Sequence, residues 1–155
     1  MNRIIRSAAA ILAVSLMACT NQNASNSEQT TNDMNSFISL FEIPATDISR
    51  AISFYQGILD INIEKMEMPG MEMGIFPYQD QLVPGVIMKA EGNEPSANGV
   101  TIYLNAGNDL QHILDKVEVN GGTIILPKTA HADESGYFAL FLDTEGNKLG
   151  LNSPS

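Results

Sequence analysis

At 155 residues, the chain has room for one domain with a single core. Eighteen acidic residues against eight basic ones leave a formal net charge of −10, which argues against a nucleic-acid partner and against electrostatic adhesion to an anionic membrane. Cys19 is the one cysteine, so an intramolecular disulfide and a thiolate metal cluster are excluded.

The first element is an export signal. Met1-Asn2-Arg3-Ile4-Ile5-Arg6 is a basic start, and Ser7 to Met17 is an apolar stretch too short to span a bilayer. It closes on Leu16-Met17-Ala18-Cys19, a lipobox pattern that resembles those of bacterial lipoproteins cleaved before the cysteine. On that resemblance residues 1–18 are removed and the Cys19 thiol carries the lipid, which also removes it from catalysis. Cleavage takes Arg3 and Arg6 and no acidic residue, so the mature net charge moves from −10 to −12, and the lipid has to do the anchoring. Residues 19–35 are almost devoid of apolar side chains and are expected to form a flexible tether holding the domain roughly 20 Å from the membrane. Thr20 and Asn21 follow Cys19, without the Asp that resembles inner-membrane retention, so an extracytoplasmic protein anchored to the outer membrane is expected.

Residues 36–155 show regular patterning. Phe37 to Ile43 predicts a strand ending at Pro44, and Ile48, Ala51, Ile52, Tyr55 and Leu59 recur at amphipathic-helix spacing behind a cap at Thr46 or Asp47. Strands are expected over Ile61 to Met66, Met71 to Pro77 and Gly85 to Ala90, followed by a polar loop from Glu91 to Asn98. The order then repeats. A strand runs from Val100 to Asn105, a helix opens near Asn108-Asp109 and carries Leu110, Ile113, Leu114 and Val117, and Gly121-Gly122 stops it. The last three strands are expected at Thr123 to Leu126, Tyr137 to Leu142 and Lys148 to Asn152, with Pro127 to Gly136 as a loop. Setting Asp47 against Asp109 gives an offset of about 62 residues and an α+β domain of two βαβββ units.

Ile43-Pro44-Ala45-Thr46-Asp47-Ile48, followed by Ala51, Phe54-Tyr55, Gly57 and Leu59, resembles the opening signature of the vicinal oxygen chelate superfamily of glyoxalases, bleomycin-resistance proteins and dioxygenases. Gly121-Gly122 and Asp143-Thr144-Glu145-Gly146-Asn147 resemble its second-half signatures. The resemblance implies a curved eight-stranded mixed sheet around a cavity, with helices outside. It also implies a metal held by a His, Gln or Glu from each of four strands. Carried over, those positions fall on Leu40, Met88, Ile102 or Tyr103, and Gly150. None is a nitrogen or carboxylate ligand, so the expectation is a domain without a metal or other cofactor, in which metal-dependent isomerisation and ring cleavage lose their Lewis acid. In this the chain resembles a lactoylglutathione-lyase-related subgroup.

Alternation puts Glu42 on the face of Leu40 and Val86 on the face of Met88. A carboxylate in a mostly apolar cavity would act as a base or bind an amine or hydroxyl, so Glu42 is a candidate; structural hydrogen bonding at a sheet edge is its ordinary alternative. His131 is a second candidate base, since loops of this fold overhang the cavity, whereas His112 on the second helix is expected at the surface. Tyr103 and Phe138 are candidate aromatic walls. The expected function is therefore binding of a small organic molecule through Glu42, Met88, Tyr103 and Phe138, with a metal-free lyase or isomerase using Glu42 or His131 as the alternative. The run Met66-Glu67-Met68-Pro69-Gly70-Met71-Glu72-Met73 is expected to gather four thioethers on one hairpin face, suited to Cu(I) or to docking a partner or a second copy as a homodimer, with flexible apolar lining as the plainer role.

Overall fold

The computed structural model describes residues 36–155; the signal over residues 1–18, Cys19 and the tether lie outside them. The elements run β1 (Phe41–Pro44), α1 (Ile48–Leu59), β2 (Glu64–Met68), β3 (Met71–Ile75), β4 (Gly85–Ala90), β5 (Tyr103–Asn105), α2 (Gln111–Val117), β6 (Thr123–Ala130), β7 (Tyr137–Leu142) and β8 (Lys148–Ser153). These are two βαβββ units. Each supplies one four-stranded mixed sheet, in the orders β1-β4-β3-β2 and β5-β8-β7-β6, so the eight strands are hydrogen-bonded as two halves. In each half the first strand runs parallel to the last, because the helix between the first two strands carries the chain back across the sheet.

Helix α1 starts where Asp47 accepts from the amides of Ser49 and Arg50 at 3.1 and 3.0 Å, and ends on Asp60 in the left-handed region at φ 53°. Ile48, Ala51, Ile52, Phe54, Tyr55 and Ile58 of this helix are buried, the larger of them contributing about 1.5–3 kcal/mol each. Phe54 stands edge-on to Tyr55 at 5.1 Å and reaches Phe141 of β7 at 6.1 Å. One core therefore serves both units. Leu110, Leu114 and Val117 complete it from the second half.

The junction between halves is polar and is built by the β7–β8 turn. The Glu145 carboxylate, whose side chain is fully enclosed, accepts from the amides of Thr46 and Asp47 at 2.9 and 3.0 Å, from the Thr46 hydroxyl at 2.9 Å and from Arg50 Nε at 2.7 Å. Burial alone would push this carboxyl up, but those donors hold it down at about 2. Asp143 accepts from the Tyr55 hydroxyl at 2.7 Å and from the Asn147 amide at 2.8 Å, and the Asn147 side chain donates to the Pro44 carbonyl at 2.8 Å. Burial, followed by the Asp143 carboxylate, drives the Tyr55 phenol well above its ordinary value.

Several boundaries differ from the sequence expectation: β2 covers Glu64–Met68 rather than Ile61 to Met66, β5 begins at Tyr103 rather than Val100, and α2 begins at Gln111 rather than near Asn108-Asp109. The first strand covers Phe41–Pro44 rather than Phe37 to Ile43, with Phe37 98% exposed. Pro44 belongs to it, opposite Met88, because an edge strand tolerates a missing donor. The strand expected to end at Leu126 continues through Pro127 to Ala130. Breaks in register between Ile124 and Leu126 and between Leu126 and Thr129 absorb the proline on this outer strand. The expected Pro127–Gly136 loop therefore shrinks to a hairpin turn, closed by the His131 amide donating to the Gly136 carbonyl at 2.9 Å.

Candidate functional site on the open face of the second sheet

Strand alternation divides each sheet into a helix-covered face and an open one. On the second sheet, Leu149, Leu151 and Ser153 of β8 are buried toward the helices, so Lys148, Gly150 and Asn152 face the other way. The pairings Tyr103 with Gly150, Asn105 with Asn152, and Phe138 with Asn152 bring Tyr103, Asn105 and Phe138 to that same open face.

The Tyr103 ring lies on Gly150, where an added Cβ would come within 2.2 Å of it. Tyr103 meets Phe138 edge-on at 6.5 Å, and His131, brought close by the short hairpin, stacks on Phe138 at 4.9 Å. His131 Nε2 and Asn152 Oδ1 approach to 2.8 Å, which orients the imidazole. Asn105 Oδ1 accepts from the Gly107 amide at 2.9 Å. Among the described residues, neither asparagine's amide nitrogen has a protein acceptor, so two donors stand beside three rings.

Three concavities adjoin this region. One of about 620 Å³ is lined by Tyr103, Asn105, His131, Asn152, Ser153 and Pro154. A second, of about 670 Å³, also reaches Tyr103 and Asn105 and is mostly apolar, with Phe41, Leu59, Phe76, Leu82, Leu104 and Ile113 among its walls and Gln81 as a polar one. Both volumes lie in the range of small-molecule sites. The third, of about 260 Å³, is smaller, with Glu42 and Pro44 of β1 and Lys148 of β8 among its walls.

The candidates from sequence therefore separate. Tyr103, Phe138 and His131 converge. Glu42 is exposed and lines the smaller concavity, so it lacks the apolar enclosure expected of it. Met88 stands on the open face of the first sheet, opposite Met73. His112 is exposed on α2, as expected. Asn105 and Asn152 were not anticipated as site residues. The signal for Asn152 was its two-residue spacing from Gly150, which fixes its face.

The fold is the α+β arrangement of paired βαβββ units found in glyoxalases and bleomycin-resistance proteins. Residues 37–151 match the Glyoxalase/Bleomycin resistance protein/Dioxygenase superfamily, and the chain belongs to it. A glyoxylase-like domain-containing protein of Didymella fabae is 32% identical over 115 residues, covering 71% of this chain and 88% of that protein. Among solved structures, a glyoxalase I mutant from Zea mays superposes with a TM-score of 0.62 at 21% identity, over 75% of this chain and 45% of that one. The chain thus spans less than half of that enzyme. A glyoxalase/bleomycin resistance protein from Albidiferax ferrireducens gives 0.61 at 18% identity, over 76% and 98%. An antibiotic binding protein from a Streptomyces species gives 0.61 at 21% identity, over 77% and 97%.

The family's metal positions do not fit a metal here. Tyr103, rather than Ile102, is the residue opposite Gly150 on the open face, so the four positions carry Leu40, Met88, Tyr103 and Gly150. Gly150 offers no side chain, and the Tyr103 ring fills the space above it. Among the described residues, no three His, Cys, Asp or Glu side chains come together in a way that could hold an ion.

Proposed function

We propose that this is a lipid-anchored, metal-independent member of the superfamily that binds a planar, mostly apolar organic molecule on the open face of the second sheet. The observation that carries this is the convergence of Tyr103, Phe138 and His131 beside the amides of Asn105 and Asn152. Rings of this kind gain about 0.5–1.5 kcal/mol per stacked or edge-on contact beyond the area they bury. The amides would orient the polar edge of the ligand. Likeness in fold to a protein described as antibiotic binding is in keeping with this role. Anchoring rests on the lipobox at Cys19 and predicts that Cys19→Ala releases the protein from the membrane fraction.

The test starts from full-length protein purified without chelator and without a histidine tag, examined by elemental analysis and native mass spectrometry. A co-purified organic molecule without metal is expected; a stoichiometric divalent ion would overturn metal independence. With that molecule as titrant, Phe138→Ala is expected to weaken binding about tenfold, equivalent to about 1.4 kcal/mol, while Glu42→Gln leaves it unchanged. Equal affinity in wild type and Phe138→Ala would remove the aromatic face as the site. Turnover of the molecule that disappears in His131→Ala would replace binding by lyase or isomerase chemistry.

A further inference from the structure

The open face of the first sheet has a different chemistry. Met66 lies directly opposite Met73 and Met68 opposite Met71, while Met73 is in turn opposite Met88. Met66, Met73 and Met88 therefore form one transverse row across β2, β3 and β4, with Met68 and Met71 in the row beside it. Directly opposed residues place their Cβ atoms about 4.5–5.5 Å apart, and each methionine has three rotatable bonds with which to aim its sulfur. Sulfur can thus converge from three strands without moving the backbone.

The surroundings favour a cation. Lys65, Glu67, Glu72 and Lys89 alternate onto the opposite face, where both lysines are bound to Glu72 at 3.1 and 2.7 Å. That keeps ammonium groups away from the sulfurs. Glu64 and Glu42 lie at the two ends of the neighbouring row, through Ile75 and Val86, and the net charge of −10 adds a field of the same sign. The sulfurs are also within reach, since Met66 and Met68 are 39% and 41% exposed. Hard divalent ions have no claim on thioethers, whereas soft monovalent ions do.

We propose that Met66, Met73 and Met88, with Met68 and Met71 beside them, form a binding site for a soft monovalent cation, Cu(I) or Ag(I). The site is on the other sheet from the aromatic face and does not depend on it.

The test is a Cu(I) titration against a chromogenic chelator under reducing, anaerobic conditions. It uses the full chain carrying Cys19→Ala, so that the one thiol does not compete. One Cu(I) per chain is expected to leave the chelator. In the same background, Met66→Leu/Met73→Leu/Met88→Leu is expected to bind about tenfold more weakly or worse, because leucine removes the soft donor while keeping volume and apolarity. A thermal melt without metal checks that the triple variant folds; if it does not, Met73→Leu alone is carried through the same titration and is expected to weaken binding. Failure to compete with the chelator, or uptake undiminished in the folded leucine variants, would overturn the site and leave the methionines as apolar lining.

Discussion

Replacing Glu145 with glutamine is expected to cost the fold about 2–3 kcal/mol at pH 7, read as a lower urea midpoint at unchanged slope. A carboxyl held at about 2 instead of its ordinary 4.5 corresponds to about 3 kcal/mol. The lower figure allows for the Arg50 guanidinium, which is 49% exposed and partly screened. Glutamine keeps the shape and can leave its one oxygen on the backbone amides of Thr46 and Asp47, but its NH2 then faces the Arg50 Nε–H, which needs an acceptor. The pH dependence has a defined sign. The folded carboxyl is depressed, so its contribution is complete above about pH 4.5 and is lost as pH falls toward 2. The gap between wild type and Glu145→Gln should therefore narrow across that window. A gap that stays constant down to pH 2 would mean that the carboxylate charge is not what joins the halves.

The second large effect is expected at Gly122. A Cβ there would lie 2.7 Å from the Leu142 carbonyl oxygen, 2.8 Å from the Phe54 ring and 2.9 Å from Val117 Cγ1. The turn after α2 is pressed against both β7 and α1, and a carbonyl in a sheet cannot step aside as a side-chain tip can. Gly122→Ala should destabilise by about 3 kcal/mol, at the upper end of the overpacking range. Gly99→Ala serves as control, because its Cβ would meet nothing within 4 Å. Thermal or urea melts of the pair decide it: similar stabilities would show that the core yields at this point. The adjacent Gly121 is required for another reason, its φ of +93°.

These two positions show what the sequence made legible. Gly121-Gly122 and Asp143 to Asn147 were readable as motifs, and with them the fold and the order of its strands. Their physical tasks were not readable, because Glu145 acts on residues 98 and 99 positions away. Strands buried on one face, such as Gly85–Ala90 and Tyr137–Leu142, kept their expected bounds. Outer strands did not: apolar Phe37 looked like strand and is solvent-facing, and Pro127 looked like a break and is not. At the site, Tyr103 and Phe138 were legible only as candidate aromatic walls; the strand pairing is what brings their rings together. Period-two alternation could not show that the hairpin tightens and lays His131 on the Phe138 ring, nor that Glu42 is exposed.

The turn that seats Glu145 also bears on the order of events when the chain folds. Helix α1 and the end of β1 receive their carboxylate, and the Pro44 carbonyl its donor, only when the β7–β8 turn arrives. Contacts of such long sequence separation form late, since closing the loop has to precede the gain. A fragment ending at Gly122 is accordingly expected to show weak amide-exchange protection in α1. Until the β7–β8 turn is available, the first unit of a growing chain should therefore remain pliable, and it should set only when nearly the whole domain is present.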